Sequence, residues 1–335
     1  VWGRLADSYG RRPMLLRSLF GGGLVIFLIG FATDASQVLV LRIIQGAVTG
    51  TVAAATVMVA GLLPEEEVGY RMGLLQTSIF IGNSLGPFLG GFMADAFGNR
   101  VTFFATSLLL IAAGFIVRIF VKETFLPLRP ERLRVRDFIP DVGPLRENRG
   151  ILILLVLAAL IQVGNSIVVP VLPLHIQDIA RDAARVGSIS GLIIGVSSFA
   201  SALTAASMGR FAYRIGYAKV LFLGFAASGL LHLPQGATGS PWTILIFRTL
   251  GALALGMAVP VINALIAGMA ARDRQGSVYG LSSAMNAVGL AMGPVIGSAV
   301  AMVAGYRAVF FAAAVILGFS AWLTRREVPS AGGKA

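Results

Sequence analysis

Apolar residues in this chain gather into ten runs, at approximately 14–32, 36–62, 73–94, 101–121, 151–173, 187–207, 219–236, 241–270, 278–304 and 307–324. The hydrocarbon core of a bilayer takes about 20 apolar residues of helix, and longer runs accommodate by tilting. Polar residues, glycines and prolines collect in the short gaps between the runs. The pattern predicts an all-α membrane protein with ten spanning helices. An even number of crossings places both ends of the sequence on one side.

Composition agrees with a lipid solvent. Hydrophobic residues make up 56% of the 335, charged residues 13%, and mean hydropathy is +0.84, whereas soluble domains are near half apolar and a quarter charged. The net charge of +12 would otherwise raise nucleic-acid binding. Here the bases lie in the connections, where membrane orientation places them, so the expected partners are the bilayer and a small molecule and not nucleic acid. There are no cysteines and only two histidines, which excludes disulfides and thiolate catalysis and leaves no Cys/His metal cluster. No cofactor is expected.

Lysine and arginine assign the sides. The connections containing Arg4, Arg11, Arg12, Arg71, Arg210, Arg214, Lys219, Arg272 and Arg274, the long stretch 122–149 and the C-terminal Arg325, Arg326 and Lys334 are basic, whereas the opposite connections carry only Arg100, Arg181, Arg185 and Arg307. The first set is therefore cytoplasmic, which puts the C-terminus in the cytoplasm. Residues 122–149, broken by Pro127, Pro130, Pro140 and Pro144, read as a solvated linker between 1–121 and 150–326, with 327–335 as a tail.

The two parts are copies. Gly3–Leu15 recurs as Gly209–Leu221 at an offset of 206, and Arg42 and Gly50 meet Arg248 and Gly256 at the same offset. Farther on the offset becomes 207, pairing Gly73 with Gly280, Gly86–Pro87 with Gly293–Pro294, and Gly98 with Gly305. Register held over so many Gly, Arg and Pro positions argues for internal duplication, the plan of secondary transporters. Four runs precede the linker and six follow. Equal halves need two more spans before Val1, so the visible ones are numbered 3 to 12, and the chain reads as a fragment lacking its beginning.

Three clusters carry chemistry. In the first turn, Gly3 and Gly10 permit a tight reversal, and Asp7 is a carboxylate at the membrane edge beside Arg11 and Arg12. It can accept their charge or cap a helix N-terminus, and so act as a latch; the alternative is an ordinary solvated turn. Arg42 lies within span 4, where a guanidinium costs about 2.5–3.5 kcal/mol and faces a cavity or a partner unless it snorkels. In span 5, Gly82, Gly86 and Gly90 share a face that admits another backbone, and Pro87 cannot donate to the Asn83 carbonyl, which predicts a kink. Packing alone also explains those glycines. All the acids fall in connections or at span ends, so no visible span carries a central carboxylate.

These clusters resemble signatures of the major facilitator superfamily. Gly3, Leu5, Ala6, Asp7, Gly10, Arg11 and Arg12 match its span 2–3 loop, with Ser8 replacing the usual base; the second copy keeps Gly209 and Gly216 but has Tyr213 for the acid. Arg42, Gln45, Gly46 and Gly50 resemble its span-4 signature. Gly82, Gly86, Pro87, Gly90 and Gly91 resemble the span-5 motif of the twelve-span drug/proton antiporters. The resemblance implies two pseudo-symmetric six-helix bundles, ten of whose helices lie here, a latch at Asp7 that holds the cytoplasmic side closed, and proton coupling at Arg42 through an acid on span 1. Arg248, Gly293 and Pro294 are the second-half counterparts. Met58, Gln162, Asn165 and Asn263, with Phe80 and Asn83, are its candidate cavity residues, each equally suited to interhelical packing. His175 and His232 read as interfacial.

The expected activity is proton-coupled efflux of small amphipathic or lipophilic compounds by alternating access, in a monomeric protein of the cell membrane. The competing readings are a narrow-specificity carrier of one metabolite or antibiotic, and a sensor or scaffold that retains the fold. A membrane-embedded enzyme lacks a nucleophile–base pair or metal cluster at matched depth.

Overall fold

The structure is a computed structural model that describes residues 10–62, 65–121, 148–180, 185–207, 212, 215–269 and 275–328. The described residues form α1 (Arg11–Ile29), α2 (Ala35–Val48), α3 (Thr51–Leu62), α4 (Glu65–Phe97), α5 (Asn99–Phe120), α6 (Arg149–Ser166), α7 (Leu172–Ile179), α8 (Val186–Ser207), α9 (Tyr217–Ala237), α10 (Pro241–Leu255), α11 (Ala258–Met269), α12 (Gln275–Ala304) and α13 (Tyr306–Glu327). Eight stretches among them are long and apolar enough to cross a membrane, one of them running through α10 and α11. Large apolar side chains such as Leu109 and Val303 stand 72% and 89% exposed, the outward face of helices whose solvent is lipid.

The apolar runs 36–62 and 241–270 are each two helices rather than one. The first breaks at Gly50, whose φ of 137° an L side chain resists. The second breaks after Gly256, where Pro260 has no N–H to donate to the Gly256 carbonyl. Gly50 and Gly256 are partners at the 206-residue offset, so the duplicated sequence interrupts its duplicated helix at one place. The run 151–173 ends earlier than its apolarity implies, at Ser166, and the chain turns into the short α7.

Other pairs repeat in geometry as they do in sequence. Gly10 and Gly216 precede α1 and α9 with φ of 100° and 97°. Gly98 and Gly305 precede α5 and α13 with φ of 85° and 81°. Pro87 and Pro294 lie inside the long helices α4 and α12, and both helices continue through them. A Cβ on Gly23 of α1 would lie 3.4 Å from the Ser107 carbonyl of α5, and one on Gly229 of α9 would lie 3.2 Å from the Ala314 carbonyl of α13. Ser107 and Ala314 are themselves counterparts at the 207-residue offset. Small residues that let two backbones approach thus weld the same helix pair in each copy. In lipid such packing, rather than exclusion of water, is the main adhesive.

The chain divides into two compact units, Val1–Gly82 with Phe92–Ile139, and Asn83–Gly91 with Pro140–Ala335. In the first, Leu15, Leu19 and Met58 form the buried centre, against Leu110, Ala113 and Val117 of α5. The Ser107 hydroxyl donates to the Gly23 carbonyl at 2.7 Å. In the second, one face of α6 (Ile151, Leu154, Leu155, Leu157, Ala158, Ile161) packs into a cluster with Phe225, Ile262, Ile266, Val278 and Leu317. A second cluster joins Ile167–Ile176 to Ile193, Ile244, Val309 and Phe310. Arg149 and Glu327 pair at 3.2 Å, so the start of α6 and the end of α13 lie on the same side.

Candidate functional site

The first-turn cluster is described only from Gly10 onward; Gly3, Leu5 and Asp7 lie outside the described residues, as do Gly209, the linker 122–147 and the tail 329–335. The Arg12 guanidinium donates to the Arg118 carbonyl at the end of α5. A cation on the last carbonyls of a helix is favoured by its dipole, so this arginine also ties the charged turn to the C-terminal end of α5.

In α2 the Arg42 Nη1 donates to Gln45 Oε1 at 2.9 Å. Residues three apart share a helix face, which explains the pairing. Arg42 is exposed on its unit, and a Cβ added at Gly46 would meet nothing within 4 Å. Its counterpart Arg248 in α10 is partly buried. Gly251 occupies the position of Gln45, and a Cβ there would sit 3.4 Å from the Ser228 hydroxyl of α9.

The glycine face of α4 is open among the described residues. Gly82, Gly86 and Gly90 have nothing within 4 Å of where a Cβ would be. The close contact is made by the neighbouring face, within the second unit: Ser84 and Pro87 present their carbonyls to Gly195 and Gly191 of α8, and Gly91 meets the Gly187 carbonyl. Gly187, Gly191 and Gly195 had a legible signal, small residues at every fourth position, that the sequence reading did not use. On α12 the counterpart face, Gly289, Gly293 and Gly297, does press on another backbone, at Ala159, Ser166 and Ile167.

The candidate cavity residues differ in burial, each within its own unit. Met58 is 7% exposed and packs with Leu15 and Leu19, a core role. Gln162, Phe80 and Asn263 are partly buried and Asn83 and Asn165 exposed; the Tyr279 hydroxyl donates to the Asn263 carbonyl at 3.4 Å. Both histidines are buried within the protein. His175 is fully buried against the Phe310 ring, 5.3 Å between centroids, with neither ring nitrogen hydrogen-bonded. Its helix α7 folds inward onto α8 and α13, which the end of an apolar run does not reveal. His232 is 6% exposed, with Nδ1 at 2.7 Å from the Ser228 carbonyl. A carbonyl only accepts, so Nδ1 carries the hydrogen.

A duplicated all-helical membrane chain, with small residues at its helix crossings and arginines held within its spans, defines a secondary-transporter class of protein. The family model of the Major Facilitator Superfamily matches residues 1–181 and again 154–335. The chain belongs to that superfamily. It is 33% identical over its full length to the multidrug resistance protein MdtG of Enterobacter lignolyticus, covering 79% of that protein. It is 33% identical over 96% of its length to MdtG of Salmonella typhimurium, again covering 79%. The human organic anion transporter MFSD10 (TETRAN) shares the fold, with a TM-score of 0.68 and 19% identity over 96% of this chain and 79% of that one.

Proposed function

We propose that this protein is a secondary active transporter of the multidrug efflux type, which exports small amphipathic or lipophilic compounds from the cell by alternating access in exchange for protons. The observation that carries the reading is likeness to MdtG from end to end at 33% identity, matched by a helical repeat visible in both sequence and backbone. Asp7, with Leu5, Arg11 and Arg12 around the Gly3 and Gly10 turn, serves as the cytoplasmic latch. Arg42 with Gln45 serves in proton coupling. The α4 segment Gly82–Gly91 lets helices close against one another.

The functional halves are 1–121 and 150–326, joined by the basic linker, with the C-terminus in the cytoplasm. The Arg149–Glu327 pair supports this by placing the basic end of α13 beside the basic start of α6. The uncovered Gly82, Gly86 and Gly90 face supports a further helix there, the counterpart of α6 on α12. A monomer suffices for the cycle.

The test is a susceptibility panel and dye-efflux assay on cells expressing the full-length protein, with and without a proton uncoupler. Energy-dependent efflux abolished by the uncoupler is expected. Asp7→Asn should cut efflux while leaving the protein in the membrane. Efflux that survives the uncoupler would refute proton coupling, and unchanged efflux by Asp7→Asn would refute the latch.

A further inference from the structure

An exposed stripe on α13 runs from apolar side chains into charge. Val315, Phe319, Trp322 and Arg326 are spaced so that they share one side of the helix, and all of them are exposed. Val315 to Trp322 covers about 10 Å along the axis, within the roughly 15 Å of hydrocarbon that one leaflet contributes. The Phe319 and Trp322 rings stack, with 5.5 Å between centroids and 26° between planes. The Arg326 guanidinium lies 5.3 Å from the centre of the Trp322 ring, within cation–π range. Aliphatic chain, aromatic pair and cation thus succeed one another from the middle of the helix to its end.

Positive charge is in excess where the stripe ends. Glu327 is the one acid in α6 or α13. It pairs with Arg149 at 3.2 Å and with Arg326 at 3.5 Å, and its side chain is 20% exposed against 78% and 64% for the two arginines. Arg325 beside them is exposed as well. The carboxylate is therefore largely covered and the cations stand outward. Arg149 also opens α6, a helix end that itself attracts anions.

The repeat shows that this arrangement is not inherited packing. At the 207-residue offset, Trp322 and Arg326 fall on Phe115 and Ile119 of α5. Phe115 sets its ring against Phe20 of α1, edge to face at 5.3 Å, and Ile119 keeps that face apolar to its end.

We propose that the end of α13, with Arg149 of α6, binds an acidic phospholipid of the adjoining leaflet, the cytoplasmic one on the orientation proposed above. Arg326, held over the indole, takes the phosphate through parallel N–H bonds. The Trp322 N–H is a donor only and suits the ester oxygens at the same depth, while Phe319 and Val315 flank an acyl chain. A soluble anion would use the guanidinium and leave the stripe idle. A zwitterionic headgroup would bring its own cation to a place already rich in them.

The test is native mass spectrometry of the purified full-length protein in detergent, titrated with palmitoyl-oleoyl phosphatidylglycerol or with phosphatidylcholine of the same chains. Wild type should bind phosphatidylglycerol at least about fivefold more tightly. Arg326→Gln should weaken phosphatidylglycerol about fivefold and Trp322→Leu about two- to fivefold. Arg100→Gln, at an exposed arginine near the start of α5, should leave it unchanged. Should Arg326→Gln fail to fold, the wild-type preference between the two lipids decides, together with inorganic phosphate, which should not displace phosphatidylglycerol. Equal wild-type affinity for the two lipids, undiminished binding by Arg326→Gln, an equal loss in Arg100→Gln, or displacement by inorganic phosphate would overturn the proposal. So would a wild-type dimer that Arg326→Gln dissolves, which would assign the stripe to a second copy of the chain.

Discussion

Gly191 of α8 lies directly on the carbonyl of Pro87, and the fit leaves no room for a side chain. Ser84 on Gly195 and Gly187 on Gly91 extend the contact over two further turns. The helix that carries the antiporter-like motif is therefore seated through carbonyls and hydrogens rather than interlocked side chains.

Gly191→Val should lower stability by about 1–3 kcal/mol, the usual penalty for overfilling a close-packed contact. Gly318→Ala, at an exposed position with open space around it, should be neutral or slightly stabilising, because it only improves helix propensity. Thermal melts of the purified variants measure both, and equal melting temperatures would contradict the contact.

The glycines before α5 and α13 make a cleaner backbone test. Neither Gly98 nor Gly305 has an atom within 4 Å of a built Cβ, yet their φ values are 85° and 81°. Gly305→Ala should therefore cost about 1–3 kcal/mol through conformation alone, and Gly305→Asn as much, because a ψ of 170° lies outside the left-handed helical well that Asn tolerates. Gly98→Ala should match Gly305→Ala, since the two are copies. Unequal costs in the two halves would show that the duplicated turns differ in strain.

Much of this architecture was legible because membranes impose long apolar runs and duplication repeats its irregularities. Gly50 and Gly256 paired in the sequence, and both prove to be helix breaks; Gly98 and Gly305 paired, and both prove to be helix N-caps with positive φ. What escaped is tertiary. Periodicity placed Gly82, Gly86 and Gly90 on one face but could not say which face of α4 meets α8, because Ser84, Pro87 and Gly91 form an equally small stripe beside it. The burial of His175 escaped for a related reason: a turn at Ile167–Val171 redirects the chain, and apolarity does not encode its direction. Arg248 was legible as a repeat of Arg42, whereas its partial burial required the packing of α9.

The absence of cysteine from the chain makes orientation directly measurable. Cysteine introduced at Arg149, where the side chain is 78% exposed, should react with an impermeant maleimide only from the cytoplasmic side. Cysteine at Gly239, between α9 and α10 and open to added volume, should react only from outside. Cysteines at 149 and 327 should be joined by a bifunctional maleimide, because side chains that meet at 3.2 Å keep the two positions within such a linker's reach. The Arg149 end of the pair is 78% exposed and the Glu327 end 20%, so water screens the pair from one side and Glu327→Gln should change stability by about 1 kcal/mol.

His175 gives the protein an acid-sensitive element in α7. Burial is the main cause holding its pKa below the ordinary histidine value, the Arg307 charge on α13 adds to it, and Asp178 on α7 itself opposes. Packed α8 carries no titratable side chain, and α10 carries none before Arg248. In the unfolded chain the imidazole takes up a proton at its usual pKa near 6.5, whereas the folded protein resists protonation until lower pH. Stability is therefore full above the unfolded value and declines as pH falls from there toward the folded value, because the unfolded state binds more protons over that window. Between pH 7.5 and 5.5 the melting temperature of the wild-type protein should fall. His175→Leu removes an imidazole with no hydrogen-bond partner from an apolar pocket, so it should leave stability at pH 7.5 near wild type and flatten the acid limb. Melts at the two pH values decide the point: an undiminished slope in His175→Leu would place the acid sensitivity elsewhere.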